Sequence, residues 1–274
     1  VRIHTTGAAL LIASIGTLVL LAAPTVAPDT APQSSIVTGF ALEFFLGTLA
    51  IAFAVLSGAG AFRRLGLQPS RISWRASVVL IGGTLALSFA LNGIYELAGF
   101  GEHGALAQFE SDLSGVGGAT IAFAVISFAL APGFAEELLC RGLIQRGLAS
   151  HFGPITSVGL AALFFGALHV EPIYAALATL LGAYLGTIAL LGDSIRTSIV
   201  CHGSNNLVAV LTAVWGFKMN PSGPLAVFWV TAALVLAAGA LRWAWREIGG
   251  PPVVMIAPEN PTVGLQPESG SDDS

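Results

Sequence analysis

From Ile36 to Trp245 the chain is a succession of apolar runs of roughly twenty residues parted by short polar connectors, the length that crosses a bilayer as a helix. Only 9% of the 274 residues are charged, against about 25% in an ordinary soluble domain. Where no water reaches the backbone, each segment must satisfy its own N–H and C=O groups, which a helix does. The expected fold class is therefore all-α, a polytopic membrane helix bundle with about eight transmembrane helices. The runs are Gly7 to Ala23, Ile36 to Phe62, Ala76 to Ala98, Gly118 to Ile144, Pro154 to Tyr174, Ala175 to Leu191, Thr197 to Phe217 and Leu225 to Trp245.

Arginine placement orients the bundle. Arg63, Arg64, Arg71 and Arg75 follow the second run, Arg146 the fourth, Arg196 the sixth, and Arg242 and Arg246 close the eighth. The alternate loops, Pro24 to Ser35 and Gly99 to Gly117, carry Asp29, Glu102, Glu110 and Asp112 with no Lys or Arg. The excess of positive charge on one side puts both termini in the cytoplasm, with Lys218 as the exception. The first run has the outline of a secretory signal, but the arginine pattern fits eight spans, so it is read as a retained helix. Cys140 and Cys201 both fall inside runs, which excludes a disulfide framework and makes them small buried packing groups.

Three polar clusters interrupt the apolar runs: Glu136, Glu137 and Arg141; Phe165 with His169; and His202 with Asn206. An ionisable group at the centre of a membrane helix costs roughly 2.5 to 3.5 kcal/mol even on lenient insertion scales, so such residues mark function. Glu137 and Arg141 share a helix face, acid first, and Arg141 is expected to neutralise Glu137. Glu136, turned about 100° away, has no local partner. His202 and Asn206 also project from one face. A carboxylate, two imidazoles, an amide and a guanidinium are the parts for activating water and holding an oxyanion. With Arg146, His151 and Arg196 as cytoplasmic markers, Glu136 lies roughly 15 Å deep, His169 roughly 25 Å, His202 roughly 9 Å and Asn206 roughly 15 Å. For one site to form, tilt or re-entry of the segment Arg146 to Pro154 must absorb about 10 Å.

In order, Glu136-Glu-Leu-Leu-Cys-Arg141 reads E-E-x-x-x-R, Phe165-Gly-Ala-Leu-His169 reads F-x-x-x-H, and His202-Gly-Ser-Asn-Asn206 reads H-x-x-x-N. This ordered trio resembles the CPBP family, intramembrane proteases related to the type II CAAX prenyl endopeptidase and to bacteriocin-processing or immunity proteins. The resemblance implies that Glu136 and His169 activate a water for attack on a peptide carbonyl, that His202 and Asn206 stabilise the oxyanion, and that Glu137, Arg141 and Phe165 support them. It implies a membrane-anchored protein or peptide substrate within the lipid bilayer. The expected organisation is an N-terminal part of three helices at 1–115, a catalytic core of helices four to seven at 116–217, an eighth helix at 218–248 and a disordered acidic tail at 249–274.

Two His and a Glu are also a common catalytic zinc set, and if zinc is bound its ligands would be Glu136, His169 and His202. The chain lacks H-E-x-x-H, and Asn206 suits hydrogen bonding better than ligation, so no cofactor is assigned. There is no phosphate loop, nucleotide fingerprint or basic patch, so neither nucleotide nor nucleic acid is expected as a partner. Gly182 and Gly186 form a G-x-x-x-G pair read as helix packing. Glu43, early in the second run, reads as reaching the outer headgroups; Asn92, Tyr95 and Glu96 read as interfacial anchors; Glu171 is a candidate partner of His169. An ion-coupled transporter would use the same charged groups as a proton relay, but no inverted repeat supports it. A non-catalytic scaffold or immunity protein would tolerate loss of any one of them.

Overall fold

The computed structural model describes residues 32–56, 60–101, 104–169, 171–217 and 225–251. The expected first run, the loop acids Asp29 and Glu102, Lys218 and the tail beyond Pro251 lie outside them. Every regular element among the described residues is a helix. They are α1 (Pro32–Leu56), α2 (Ala61–Arg64), α3 (Trp74–Leu97), α4 (Ala105–Leu113), α5 (Ala119–Phe152), α6 (Pro154–Ala167), α7 (Pro172–Gly192), α8 (Arg196–Trp215) and α9 (Ala226–Ile248). Five of these, α1, α3, α5, α7 and α9, are long and apolar enough to cross a membrane. α8 has the length, but His202, Asn205 and Asn206 dilute its apolar character, and α6 has only 14 residues.

Polarity is distributed as a lipid-embedded bundle requires. Phe44, Leu56, Ile155, Val235 and Leu236 face outward, more than half exposed, whereas Glu136, Glu137, Arg141, Gln145 and His202 are buried. In water that outer surface would be an aggregation patch; against acyl chains it is solvated.

The fourth run does not end at Ile144. α5 continues to Phe152, two turns further, before the chain reverses at Gly153. This resolves the depth mismatch. Eleven residues separate Arg141 from Phe152 and eleven separate Pro154 from Phe165, so each arm of the hairpin rises about 16 Å and Phe165 returns to the level of Arg141. The fifth run is shorter than expected in turn: α6 stops at Ala167 and α7 begins at Pro172, leaving His169 in the connection. Two further differences concern loops. Phe62 belongs to the short α2 rather than to the second span, and the loop between α3 and α5 contains α4, whose Leu113 is fully buried and whose Phe109 packs edge-on against Phe128 at 5.5 Å.

α5 alternates between ordinary and wide turns, with π-helical stretches at Ile126–Leu130 and Leu138–Gln145 around Ala131–Glu137. Pro132 has no N–H to donate and its ring crowds the carbonyl four residues back, which accounts for the first wide turn. The arginine-bearing ends are tied together at one end of the bundle. Arg146 pairs with Asp193 at 3.0 Å, Arg196 Nε donates to the Leu67 carbonyl at 2.7 Å, and Arg71 reaches the Ile248 and Gly250 carbonyls at 3.4 Å.

Two close approaches set the helix spacing. A Cβ on Gly133 would lie 2.8 Å from the Gly203 Cα, so α5 and α8 cross backbone against backbone. Gly182 and Gly186 face α5 and α6: an added Cβ would meet the Phe165 ring at 3.0 Å and the Gln145 amide at 2.7 Å. The bared Gly182 and Gly186 carbonyls accept from Arg141 Nη2 and Gln145 Nε2, each at 2.9 Å. Thus the G-x-x-x-G pair is packing inside the chain, as expected. Gly133→Ala, by over-packing the crossing, is expected to cost about 1–3 kcal/mol and to lower the thermal midpoint of the purified protein in detergent. Gly159→Ala, whose added Cβ meets nothing within 4 Å, is the control; equal midpoints for the two variants would refute the crossing.

Candidate active site

The crossing of Gly133 on Gly203 brings the turn after Gly133, which carries Glu136 and Glu137, against His202. Glu137 is fully buried, and its Oε1 accepts from Arg141 Nη1 at 2.7 Å and lies 3.0 Å from His202 Nδ1. The pairing of Glu137 with Arg141 is the expected one. The second contact goes beyond it: Glu137 also orients His202 across 65 residues of sequence.

Because the Glu137 carboxylate only accepts, His202 Nδ1 is the ring nitrogen that donates to it, and Nε2 is left facing the site. That Nε2 lies 3.8 Å from Glu136 Oε2 and 3.3 Å from Asn206 Nδ2. Asn205, buried beside it, donates its amide to Asn206 Oδ1 at 3.2 Å, which fixes the end of the Asn206 amide that turns toward His202.

Arg141 is held on three sides. Besides Glu137 and the Gly182 carbonyl, its guanidinium carbon sits 4.3 Å from the centre of the Phe165 ring, a cation–π contact strengthened by the absence of water. Phe165 in turn abuts both imidazoles, with ring centres 5.2 Å from His169 and 5.5 Å from His202. The aromatic residue of the second motif is thus the contact between the other two.

His169 lies just past α6, not on it as its spacing from Phe165 suggests. Its Nδ1 donates to the Phe165 carbonyl at 3.0 Å, an acceptor in the last turn of α6 that also takes the Leu168 N–H at 3.3 Å. Tyr174 packs on it with ring centres 5.4 Å apart. Among the described residues no hydrogen bond joins Glu136 to His169. Glu171 does not serve His169. Its carboxylate caps α7 by accepting from the Ile173 and Tyr174 backbone N–H groups, and it accepts from the Tyr95 hydroxyl at 3.1 Å. Tyr95 is itself buried, so its expected role as an interfacial anchor gives way to bracing this corner.

Glu43 also departs from expectation. It is 8% exposed, and its carboxyl is in hydrogen-bond contact with that of Glu136. A lone carboxylate inside an apolar run was the signal available for it. Cys140 and Cys201 are buried free thiols. Among the described residues no three His, Cys, Asp or Glu side chains are grouped as a metal site. His202 Nε2 faces Glu136 at 3.8 Å, but His169 is not grouped with them, so Glu136, His169 and His202 do not fit a zinc ligand set here. A cavity of about 410 Å³ between α4 and the far end of α8, lined by Ala107, Glu110, Ser111, Thr212 and Phe217 among others, contains none of the motif residues.

The fold and site define an integral membrane protein with a Glu, His and Asn cluster sealed between its helices. Residues 118–208 match the family described as type II CAAX prenyl endopeptidase Rce1-like, a stretch that contains all three motifs. That match bears out the resemblance to the CPBP intramembrane proteases and implies endopeptidase activity in the membrane. No curated protein and no solved structure matches the chain.

Arg141→Ala would leave Glu137 buried without its cation, a break that costs about 3–5 kcal/mol. Arg141→Lys is expected to recover only part, because an ammonium lacks the planar fork that reaches Glu137 and the Gly182 carbonyl together. Thermal unfolding in detergent measures both, and an alanine variant as stable as wild type would show that the pair does not hold the site.

Proposed function

We propose that this chain is an intramembrane endopeptidase that hydrolyses peptide bonds of membrane-associated substrates, CAAX-type tails or peptide precursors. The observation that carries this reading is the buried approach of His202 to both Glu136 and Asn206 at the α5–α8 crossing.

Glu136 and His169 are the pair that activates water. Water attacks the carbonyl carbon of the scissile bond, Glu136 takes the proton released, and that proton then goes to the departing amine as the C–N bond breaks. His202 and Asn206 hold the oxyanion, the amide through an N–H and the imidazole through a proton at Nε2. When Nε2 carries that proton while Nδ1–H stays on Glu137, the ring is cationic, and Glu137 balances it from 3.0 Å away. Arg141 keeps Glu137 in place for this. An oxyanion donor of this kind is worth about 10²–10³ in rate, and a general base about 10²–10⁴.

Cleavage of a library of membrane-anchored peptides, CAAX-terminated and precursor-like, by purified protein in lipid tests the reading. Glu136→Gln, His169→Ala and His202→Ala are each expected to lower kcat by at least about 10²-fold, and Asn206→Ala by about 10²–10³-fold, with the fold intact. Activity that survives a chelator supports a metal-independent protease; activity lost to it would return a metal to Glu136, His169 and His202. Wild-type turnover in the Glu136→Gln variant would overturn the assignment, and a folded wild type inert across the library would favour a non-catalytic scaffold.

A further inference from the structure

Glu43 lies outside residues 118–208, on a helix that carries none of the three motifs. Burying a carboxyl within an apolar helix bundle is costly unless a partner answers it. The partner here is another carboxyl, that of Glu136. The approach is built into the packing of α1 on α5. Gly47, one turn on from Glu43 along the same face of α1, sits against Ala135, where an added Cβ would come 3.3 Å from the Ala135 side chain. The Glu43 Oε2 is buried, and among the described residues no protein N–H or hydroxyl donates to it.

Two ionised carboxylates only accept hydrogen bonds, so this contact exists only when one of the two groups carries a proton. If Glu136 is to take a proton from water, the shared proton must start on Glu43. We propose that Glu43 is a positioning residue for the peptidase reaction: as a neutral acid it donates a hydrogen bond to Glu136, aiming the free oxygen of that carboxylate toward the water beside His202. The inference rests on the assignment of Glu136 as the base. It places one determinant of the reaction on α1, beyond the three motifs, and makes the pair a carboxyl couple rather than a single acid.

A glutamine imitates a neutral glutamic acid in shape and still donates through its amide, whereas alanine and leucine do neither. In the peptide-cleavage assay Glu43→Ala and Glu43→Leu are expected to lose on the order of 10² in kcat with KM nearly unchanged, the cost of a misplaced catalytic group. Glu43→Gln is expected to restore most of the loss. Infrared spectroscopy reads the hydrogen bond without turnover: a protonated-carboxyl C=O band should be present in wild type, absent in Glu43→Gln, and shifted in Glu136→Gln, which keeps Glu43 but changes its acceptor. An alanine variant as active as wild type, a glutamine variant as inactive as alanine, or a band indifferent to Glu43→Gln would each overturn the proposal. Turnover surviving Glu136→Gln would refute the role of Glu136 in catalysis, while the infrared band would still decide whether Glu43 donates to it.

Discussion

A carboxylate that no water can reach must be answered by its neighbours, and at Glu137 the answer comes from two directions. Arg141 supplies the opposite charge from the next turn of the same helix, and His202 supplies an N–H from a helix 65 residues away. Because one oxygen takes both, the ion pair and the orientation of the imidazole are one arrangement. Taken as a contribution to stability, such a pair is modest, since desolvating two charges offsets most of their attraction. Its value lies in geometry: few arrangements satisfy both partners, so the faces of α5 and α8 that carry the site are locked in rotation.

Phe165 extends the same constraint to a third helix. Lying under the guanidinium of Arg141 and against both imidazoles, it converts the electrostatic lock on α5 and α8 into a position for His169 at the end of α6. An aliphatic side chain of similar bulk would fill the space but offer no π face to the cation and no ring edge to the imidazoles. The motif residue with no polar atom thereby couples the others.

Much of this was legible in the chain because it is local. Apolar runs announce helices, and pairs such as Glu137 with Arg141 or His202 with Asn206 announce a shared face, since both signals depend only on spacing along one helix. What was hidden depends on how helices end and cross. Arg146 looks like a membrane boundary by its charge, yet α5 passes it by two turns because Asp193 satisfies that charge and the apolar pattern resumes at Leu148. His169 has helical spacing from Phe165, but its ring folds back onto a terminal carbonyl beyond the helix end. Glu43 has no motif around it, and only packing reveals that it looks inward at Glu136 instead of outward at headgroups. Asn205 was visible in the sequence beside Asn206 but carried no sign that it would steer its neighbour's amide.

The hairpin of α5 and α6 acts as a gauge with two equal arms. Phe165 meets Arg141 because the residues descending to Gly153 are matched in number by those climbing away from it. Lengthening both arms together would push the reversal deeper and leave the site in register. A residue added to one arm alone would lift one side by about 1.5 Å and rotate it by about 100°, turning Phe165 away from the cation it covers. Length variation in this hairpin is therefore constrained to come in compensated pairs, a restriction imposed on a segment that itself holds no reacting group.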